Sequence, residues 1–343
     1  MKIVVPIASF VLALLVVAVA VGSADVYLHH RHAKSAGLNI WGYRGPVLGE
    51  KQPGELRVAV LGGSTAFGFG VLWPEAFPAR LEQKLNERRQ SPGGGPVSVA
   101  NLAFNNEGAY SYKYTLRDYD YLDYDVVLMY VGYNDLGRPN TQVYRHQFPT
   151  FRLAGYVPIL PVILREKALA IRYGGDLKAA YEGNKTAFRP GRAANATATT
   201  LNAAAQIADS LERQLNRFAP EYEFETDSDA LCVAAWDFYC RQLHDAIALG
   251  LSQGARVLVV ADPFLLDAAL RERQIAQRTA LQGMLEAHFR DRGVAYVSLG
   301  DAIDMTDASL QIDGMHLTIQ GNDRIAEALV QPVLDVLQMT ARD

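Results

Sequence analysis

Five short apolar runs recur along the chain, at 56–61, 97–101, 125–131, 256–261 and 294–299. Each is too short for a core helix and is rich in Val, Leu and Ala, so each reads as a buried strand. Between and after them, apolar residues recur at helical spacing over 74–89, 110–121, 235–253, 270–292 and 318–337. Strand runs that alternate with helices imply an α/β fold, with a parallel sheet covered on both faces. Pro74 suits the first turn of its helix, and Gly254 and Gly293 fall where helices should end and strands begin.

Two regions break this alternation. Residues 3–21 are almost purely apolar. At about 1.5 Å per residue they span roughly 28 Å, close to the hydrocarbon core of a bilayer. The run is long for a signal-peptide core, although Ala18-Val19-Ala20 is an acceptable cleavage site. The expectation is a transmembrane anchor or signal segment over 1–22, read as an uncleaved anchor, and a Gly- and Pro-punctuated stem over 23–54. His29, His30 and His32 read as solvated residues beside a membrane. Lys2 precedes the run, while Arg31, Lys34 and Arg44 follow it. That charge count leans toward a cytoplasmic body. A single apolar segment ahead of one large body more often exports it, so the body is expected outside the cytoplasm, in the cell envelope or periplasm. The second break, at about 138–230, has no core strand and includes an Ala-, Thr- and Asn-rich tract at 193–205. It reads as an inserted, mostly helical subdomain within a body spanning 55–338.

Composition narrows the function. The chain has 343 residues and a net charge of −4, which leaves no basic footprint for nucleic acid. Cys232 and Cys240 are too few for a disulfide framework or a zinc site of cysteines alone. They make at most one local bridge; on one continuous helix they would stand roughly 12 Å apart, too far to bridge, which favours two buried thiols over that bridge.

Candidate chemistry gathers at strand ends. After 56–61 the chain breaks at Gly62-Gly63 and presents Ser64 and Thr65. In open α/β sheets ligands bind at the carboxyl ends of strands, where Ser64 belongs. Gly63 and Gly68 have the separation of phosphate-loop glycines, but Phe69 and Gly70 stand where Lys and Ser or Thr are needed. Gly68-Phe69-Gly70 likewise lacks the third glycine of a dinucleotide fingerprint. Ser64 remains as a nucleophile or a helix cap. The second run leads to Gly108, whose backbone N–H can approach a ligand closely. The third ends in Gly132-Tyr133-Asn134-Asp135, and the Asn134 amide is a neutral donor suited to a developing negative charge. Near the carboxyl end, Asp313-Gly314-Met315-His316 sets an acid three residues from an imidazole, a spacing that puts both side chains on one side of a turn. Together these supply a nucleophile, a base, an orienting acid and oxyanion donors, the set that acyl transfer requires.

With these four blocks in this order, the chain resembles the SGNH/GDSL hydrolase family over about 56–136 and 254–337. Gly62-Gly63-Ser64-Thr65 matches the nucleophile block, Asn101 to Gly108 the oxyanion-glycine block, Gly132 to Asp135 the Gly-x-Asn-Asp block, and Asp313 to His316 the Asp-x-x-His block. Two departures stand out. Gly63 replaces the family's usual aspartate before the serine, and Asn105-Asn106-Glu107 precedes Gly108. The resemblance implies a three-layer α/β/α sandwich with a five-stranded parallel sheet, of flavodoxin-like type. It implies catalytic Ser64, Asp313 and His316, an oxyanion hole of the Ser64 and Gly108 N–H groups with the Asn134 side chain, and no metal or cofactor. The expected protein is a membrane-anchored serine esterase acting on an ester substrate, such as an acylated (including acetylated) glycan or a lipid. An O-acyltransferase acting on an envelope polysaccharide with the same residues is the alternative. A non-catalytic glycan-binding or scaffold module is a third, against which the complete residue set argues.

Overall fold

The computed structural model describes residues 4–33, 37–89, 95–137, 139–160, 163, 230–300 and 302–340. Two compact units are present, one of 1–33, 40–42 and 145–222, the other of 34–39, 43–144 and 223–343.

The larger unit holds the sheet. Its strands are β1 (Leu56–Leu61), β2 (Val97–Asn101), β3 (Val126–Val131), β4 (Arg256–Ala261) and β5 (Val294–Ser298). They pair in the order β2-β1-β3-β4-β5, all parallel. All six residues of β3 are buried, which is why its sequence is continuously apolar rather than alternating. The helices of this unit are the one-turn α2 (Ser64–Phe67), α3 (Phe77–Arg88), α4 (Ala109–Asp118), α6 (Asp237–Ser252), α7 (Ala268–Phe289) and α8 (Ile319–Thr340); α1 (Val4–Arg31) and α5 (Pro149–Ala154) belong to the smaller unit.

Residues of one parity in the strands, including Val58, Val60, Leu128 and Val260, pack with Phe77, Leu81 and Leu85 of α3 and Ile325 and Leu329 of α8. The opposite face meets α4 and α6. A Cβ placed on Gly250 of α6 would lie 3.4 Å from Val257 and 3.6 Å from Val127, so this helix rides directly on the sheet. The result is a helix–sheet–helix sandwich. From β1 the chain crosses to β2 on one side and then returns to β3 on the other. That reversal opens a crevice at the carboxyl ends of β1 and β3.

Some boundaries shift for local reasons. Pro74 sits in a separate 3-10 turn, Trp73–Glu75, closed by the Glu75 carboxylate accepting from Leu72 N–H at 2.9 Å. Helix α3 starts afterwards at Phe77, whose N–H donates to Asn322 Oδ1 of α8 at 2.9 Å. Asp125 lies outside β3 and accepts Arg57 N–H at 2.7 Å.

In the smaller unit, α1 continues past residue 22 to Arg31, since no Gly or Pro interrupts 23–31. Among the described residues, one helix, over Ser9–Arg31, is long and apolar enough to cross a membrane or to be a signal sequence. His29 is not solvated as its sequence setting suggested. It is buried beside Asp25 one turn earlier, with Nε2 3.0 Å from Val157 O, while the Asp25 carboxylate accepts Leu160 N–H at 2.6 Å and the Tyr156 hydroxyl. Most of the expected inserted subdomain lies outside the described residues.

The cysteines also depart from expectation. Cys232 and Cys240 form a disulfide, with Cα atoms 6.2 Å apart. A separation of roughly 12 Å holds only for one helix through both residues, but α6 begins only at Asp237. Cys232 lies before it, in a turn whose Leu231 and Cys232 N–H groups donate to Asp237 Oδ1 at 2.7 and 3.4 Å. Closing so short a loop is worth about 2–3 kcal/mol in the chain-entropy account. The Cys232→Ser, Cys240→Ser double variant is expected to melt roughly 5 °C below the oxidised protein and to ignore reductant. Equal melting temperatures in differential scanning calorimetry, with and without reductant, would count against the bridge.

Candidate active site

Ser64 leaves the end of β1 at the start of α2. The two glycines before it are required by contact rather than by torsion. A Cβ on Gly62 would stand 2.6 Å from Ala66 Cβ, and one on Gly63 would stand 2.0 Å from Asn134 Nδ2 and 3.0 Å from Glu107 O. The turn closes as Phe67 N–H donates to Gly63 O at 2.9 Å and Gly68, at φ 86°, donates to Ser64 O at 3.0 Å.

A single α-turn leaves its carbonyls without helical partners. Arg44 supplies them. Its guanidinium donates to Phe67 O, to Gly68 O at 2.6 Å and to Val71 O at 2.6 Å, while its carbon lies 4.3 Å from the Phe67 ring centroid. Asn101, the last residue of β2, adds donors to Ala66 O at 3.1 Å and Phe67 O at 3.3 Å. Arg44 is only 4% exposed, and burial pushes its pKa down to about 10. The sequence placed Arg44 among charges flanking a membrane segment. A lone arginine in a Gly-rich stretch carries no signal of the carbonyls it will meet.

Asp313 and His316 come from the loop after β5. Asp313 Oδ1 accepts from the N–H groups of Met315 and His316 at 3.1 and 2.8 Å, so it caps its own turn rather than α8. Its Oδ2 lies 2.7 Å from His316 Nδ1. With a carboxylate as acceptor there, Nδ1 carries the proton and Nε2 is free to accept. Nε2 lies 2.9 Å from Ser64 Oγ. The Phe69 ring packs against the imidazole with centroids 4.7 Å apart. Burial raises the Asp313 pKa, but the His316 side-chain and backbone bonds outweigh it, so the carboxyl is held below its ordinary value.

Asn134 occupies the 3-10 turn Tyr133–Asp135 after β3, and its Nδ2 donates to Glu107 O at 2.7 Å. One amide hydrogen is thus engaged and the other is available to a ligand. Gly108 begins α4 with an extended backbone, φ −120°. It must lack a side chain because a Cβ would fall 2.4 Å from Asp135 Oδ1. Asp135 in turn accepts Ala109 N–H at 3.0 Å. All five sequence-predicted residues therefore lie on loops at one edge of the sheet, and Ser64, His316 and Asp313 form one hydrogen-bonded chain. A hydroxyl, imidazole and carboxylate so joined can deprotonate the hydroxyl as it attacks an electrophile.

Two buried carboxyls border the Asn134 turn: Asp135, which the sequence showed in its block without a role, and Asp262, which it did not single out. Burial pushes Asp135 up to about 7, offset in part by the Ala109 N–H. Burial likewise pushes Asp262 up to about 7, offset in part by Arg278, Tyr133 N–H and Gln274. A clue for Asp262 exists only in its position, one residue beyond β4.

No family model matches this chain, and no curated protein matches it. Among solved structures it is similar to an alpha/beta hydrolase enzyme from the metagenome of Lake Arreo, Spain, at 13% identity and TM-score 0.44, over 80% of this chain and 94% of that one. It is similar to an acetylxylan esterase from Geobacillus stearothermophilus at 11% identity and TM-score 0.43, over 80% and 93%. A member of the lipolytic protein G-D-S-L family from Veillonella parvula gives 10% identity and TM-score 0.41, over 80% and 97%. These values are too low to carry over an activity or the role of any residue.

The crowding at Gly63 is testable. In Gly63→Ala the new methyl must displace the Asn134 amide. Loss of one such donor is worth about a hundredfold or more. Labelling of Ser64 by a fluorophosphonate is expected to slow by that factor, and an unchanged labelling rate would refute the contact's importance.

Asp135 sets a pH dependence. Its folded pKa of about 7 lies above the ordinary 3.8, so the folded state holds this proton more tightly than the unfolded chain. Its stabilising contribution is complete at low pH and is lost as pH rises through about 7. Between about pH 5 and about pH 8, Asp135→Asn is expected to lose less melting temperature than the wild type. Parallel melting curves against pH would remove this assignment.

Proposed function

We propose that this chain is a serine esterase of the SGNH/GDSL kind that hydrolyses acyl esters, acetyl esters among them, through an acyl-enzyme. The observation that carries the reading is the continuous relay from Ser64 Oγ to His316 Nε2 at 2.9 Å and from His316 Nδ1 to Asp313 Oδ2 at 2.7 Å. A helix-capping serine needs no such partner, so the relay favours the nucleophile over the cap.

In this reading Ser64 Oγ attacks the ester carbonyl as His316 Nε2 takes its proton. Asp313 holds the imidazole in the correct tautomer and stabilises the imidazolium. The oxyanion is received by the N–H groups of Ser64 and Gly108 and by the free amide hydrogen of Asn134. Collapse expels the alcohol, which takes the proton from His316. Water, deprotonated by the same nitrogen, then releases the acid. Hydrolysis needs no acceptor site, which favours it over transfer to a glycan hydroxyl by the same residues.

The hydrolase body belongs outside the cytoplasm, held by the N-terminal helix. The apolar length of Ser9–Arg31 supports anchoring, and the Cys232–Cys240 disulfide supports an oxidising compartment. Candidate substrates are acylated envelope glycans and lipids.

Ser64→Ala is expected to lower ester hydrolysis by roughly a thousandfold with the fold intact. The assay offers an acetyl ester donor with saturating glycan acceptor and measures free acetate against acetylated glycan. Wild-type turnover in the variant would end the serine mechanism. A product dominated by acetylated glycan would make the protein a transferase instead.

A further inference from the structure

Asn134 depends on a turn that cannot hold itself. The backbone enters it at Gly132 with φ 144° and ψ −87°, a conformation open to glycine and strained for other residues. Beneath this turn lies Asp262, the first residue after β4 and 1% exposed. Its Oδ2 accepts Tyr133 N–H at 2.9 Å, and its Oδ1 accepts Gln274 Nε2 at 3.1 Å and Arg278 Nη2 at 3.3 Å. The contact is close enough that a Cβ on Gly132 would stand 2.3 Å from both carboxylate oxygens.

Gln274, Gln277 and Arg278 lie on one face of α7, and all three are buried. Gln277 Nε2 donates to Gly132 O at 3.4 Å. The peptide joining Gly132 to Tyr133 is therefore held at both ends, its N–H by Asp262 and its carbonyl by Gln277. Arg278 also donates to the main-chain carbonyl of Asp262, and Gln274 donates to Pro263 O at 3.1 Å while accepting Leu265 N–H at 2.8 Å. Four polar side chains, two of them ionisable, are thus buried behind one peptide. Burial on this scale costs stability unless geometry is the gain, since apolar residues of like volume would hold the layers together at lower cost.

We propose that Asp262, braced by Gln274 and Arg278, is a positioning residue that sets the aim of the Asn134 amide at the oxyanion without touching substrate. This rests on the serine-esterase reading. Both carboxylate oxygens act as acceptors, toward opposite sides. Asp262→Asn keeps the shape but turns one acceptor into a donor facing a donor, so either the bond to Tyr133 N–H or the brace from Gln274 and Arg278 is lost.

The test is a cycle of Asp262→Asn, Asn134→Ala and the double variant, with ester turnover expressed per site titrated by fluorophosphonate. Asn134→Ala is expected to lower kcat roughly a hundredfold, and Asp262→Asn roughly tenfold or more with KM changed less than about twofold. In the Asn134→Ala background, Asp262→Asn is expected to cost less than about threefold further. An equal cost in both backgrounds, or a lowered melting temperature with kcat unchanged, would overturn the proposal. If Asp262→Asn does not fold, Gln274→Met takes its place in the cycle, with the same two outcomes decisive. Ser64→Ala, with turnover expressed per mole of folded protein because it has no serine to titrate, separates the failures. Full turnover there removes the esterase reading and this inference with it, whereas loss there alongside an inert Asp262→Asn removes only this inference.

Discussion

The site depends on one hydrogen bond between two loops, from Asn134 Nδ2 after β3 to the Glu107 carbonyl before α4. Parallel strands deliver all their loops to the same edge, but nothing in the sheet fixes how those loops meet. This bond fixes it, and it can form only because Gly63 leaves a side chain's worth of space beside it. Three strand ends are thereby brought into van der Waals contact, with the hydroxyl of Ser64 one residue away. A single neutral bond contributes only about 1 kcal/mol net. Its geometry must therefore be secured by what lies behind it, which is where the buried charges are found.

Those charges are distributed with a consistent logic. Arg44 sits where a short helix runs out of partners for its carbonyls, at the end where a macrodipole favours a cation. Asp135 sits at the opening of α4, accepting a first-turn N–H at the end that favours an anion. Asp262 fills the hollow under Gly132. Each ionisable group meets backbone dipoles that no apolar residue could satisfy. The loops that carry the candidate chemistry are thus pinned from beneath, while Ser64, Asn134 and His316 remain only half-buried above.

Much of this was legible in the chain. The strand runs and the helical spacing led to the observed sheet, because a strand buried on both faces leaves an uninterrupted apolar signature. Ser64, Asn134, Asp313 and His316 were legible because their chemistry is unusual at strand ends, and Gly63 was visible as a departure though its contact with Asn134 was not. Arg44, Asp262 and Gln274 were opaque. Each acts through partners distant in sequence, and nothing local in an arginine or a glutamine announces which carbonyl it will reach. The disulfide was hidden for a related reason, since its geometry turns on where α6 begins, and boundaries are the weakest part of any periodicity argument. His29 was misread because burial depends on a segment more than a hundred residues away.

The position of Arg44 bears on where the sheet-bearing unit can be trimmed. Judged by strands alone, that unit starts at Leu56. Judged by bonds, it starts before Arg44, whose backbone pairs with Leu38 and with Asn101 of β2 while its side chain holds the turn that bears Ser64. A proteolytic cut within 45–55 would leave a chain that still contains every strand of the sheet and the bonded Ser64, His316 and Asp313. The carbonyls of Phe67, Gly68 and Val71 would lose the cation that holds them, and the turn bearing Ser64 would be free to unwind. A cut before residue 37 would instead leave Arg44 on the same chain as the turn it holds.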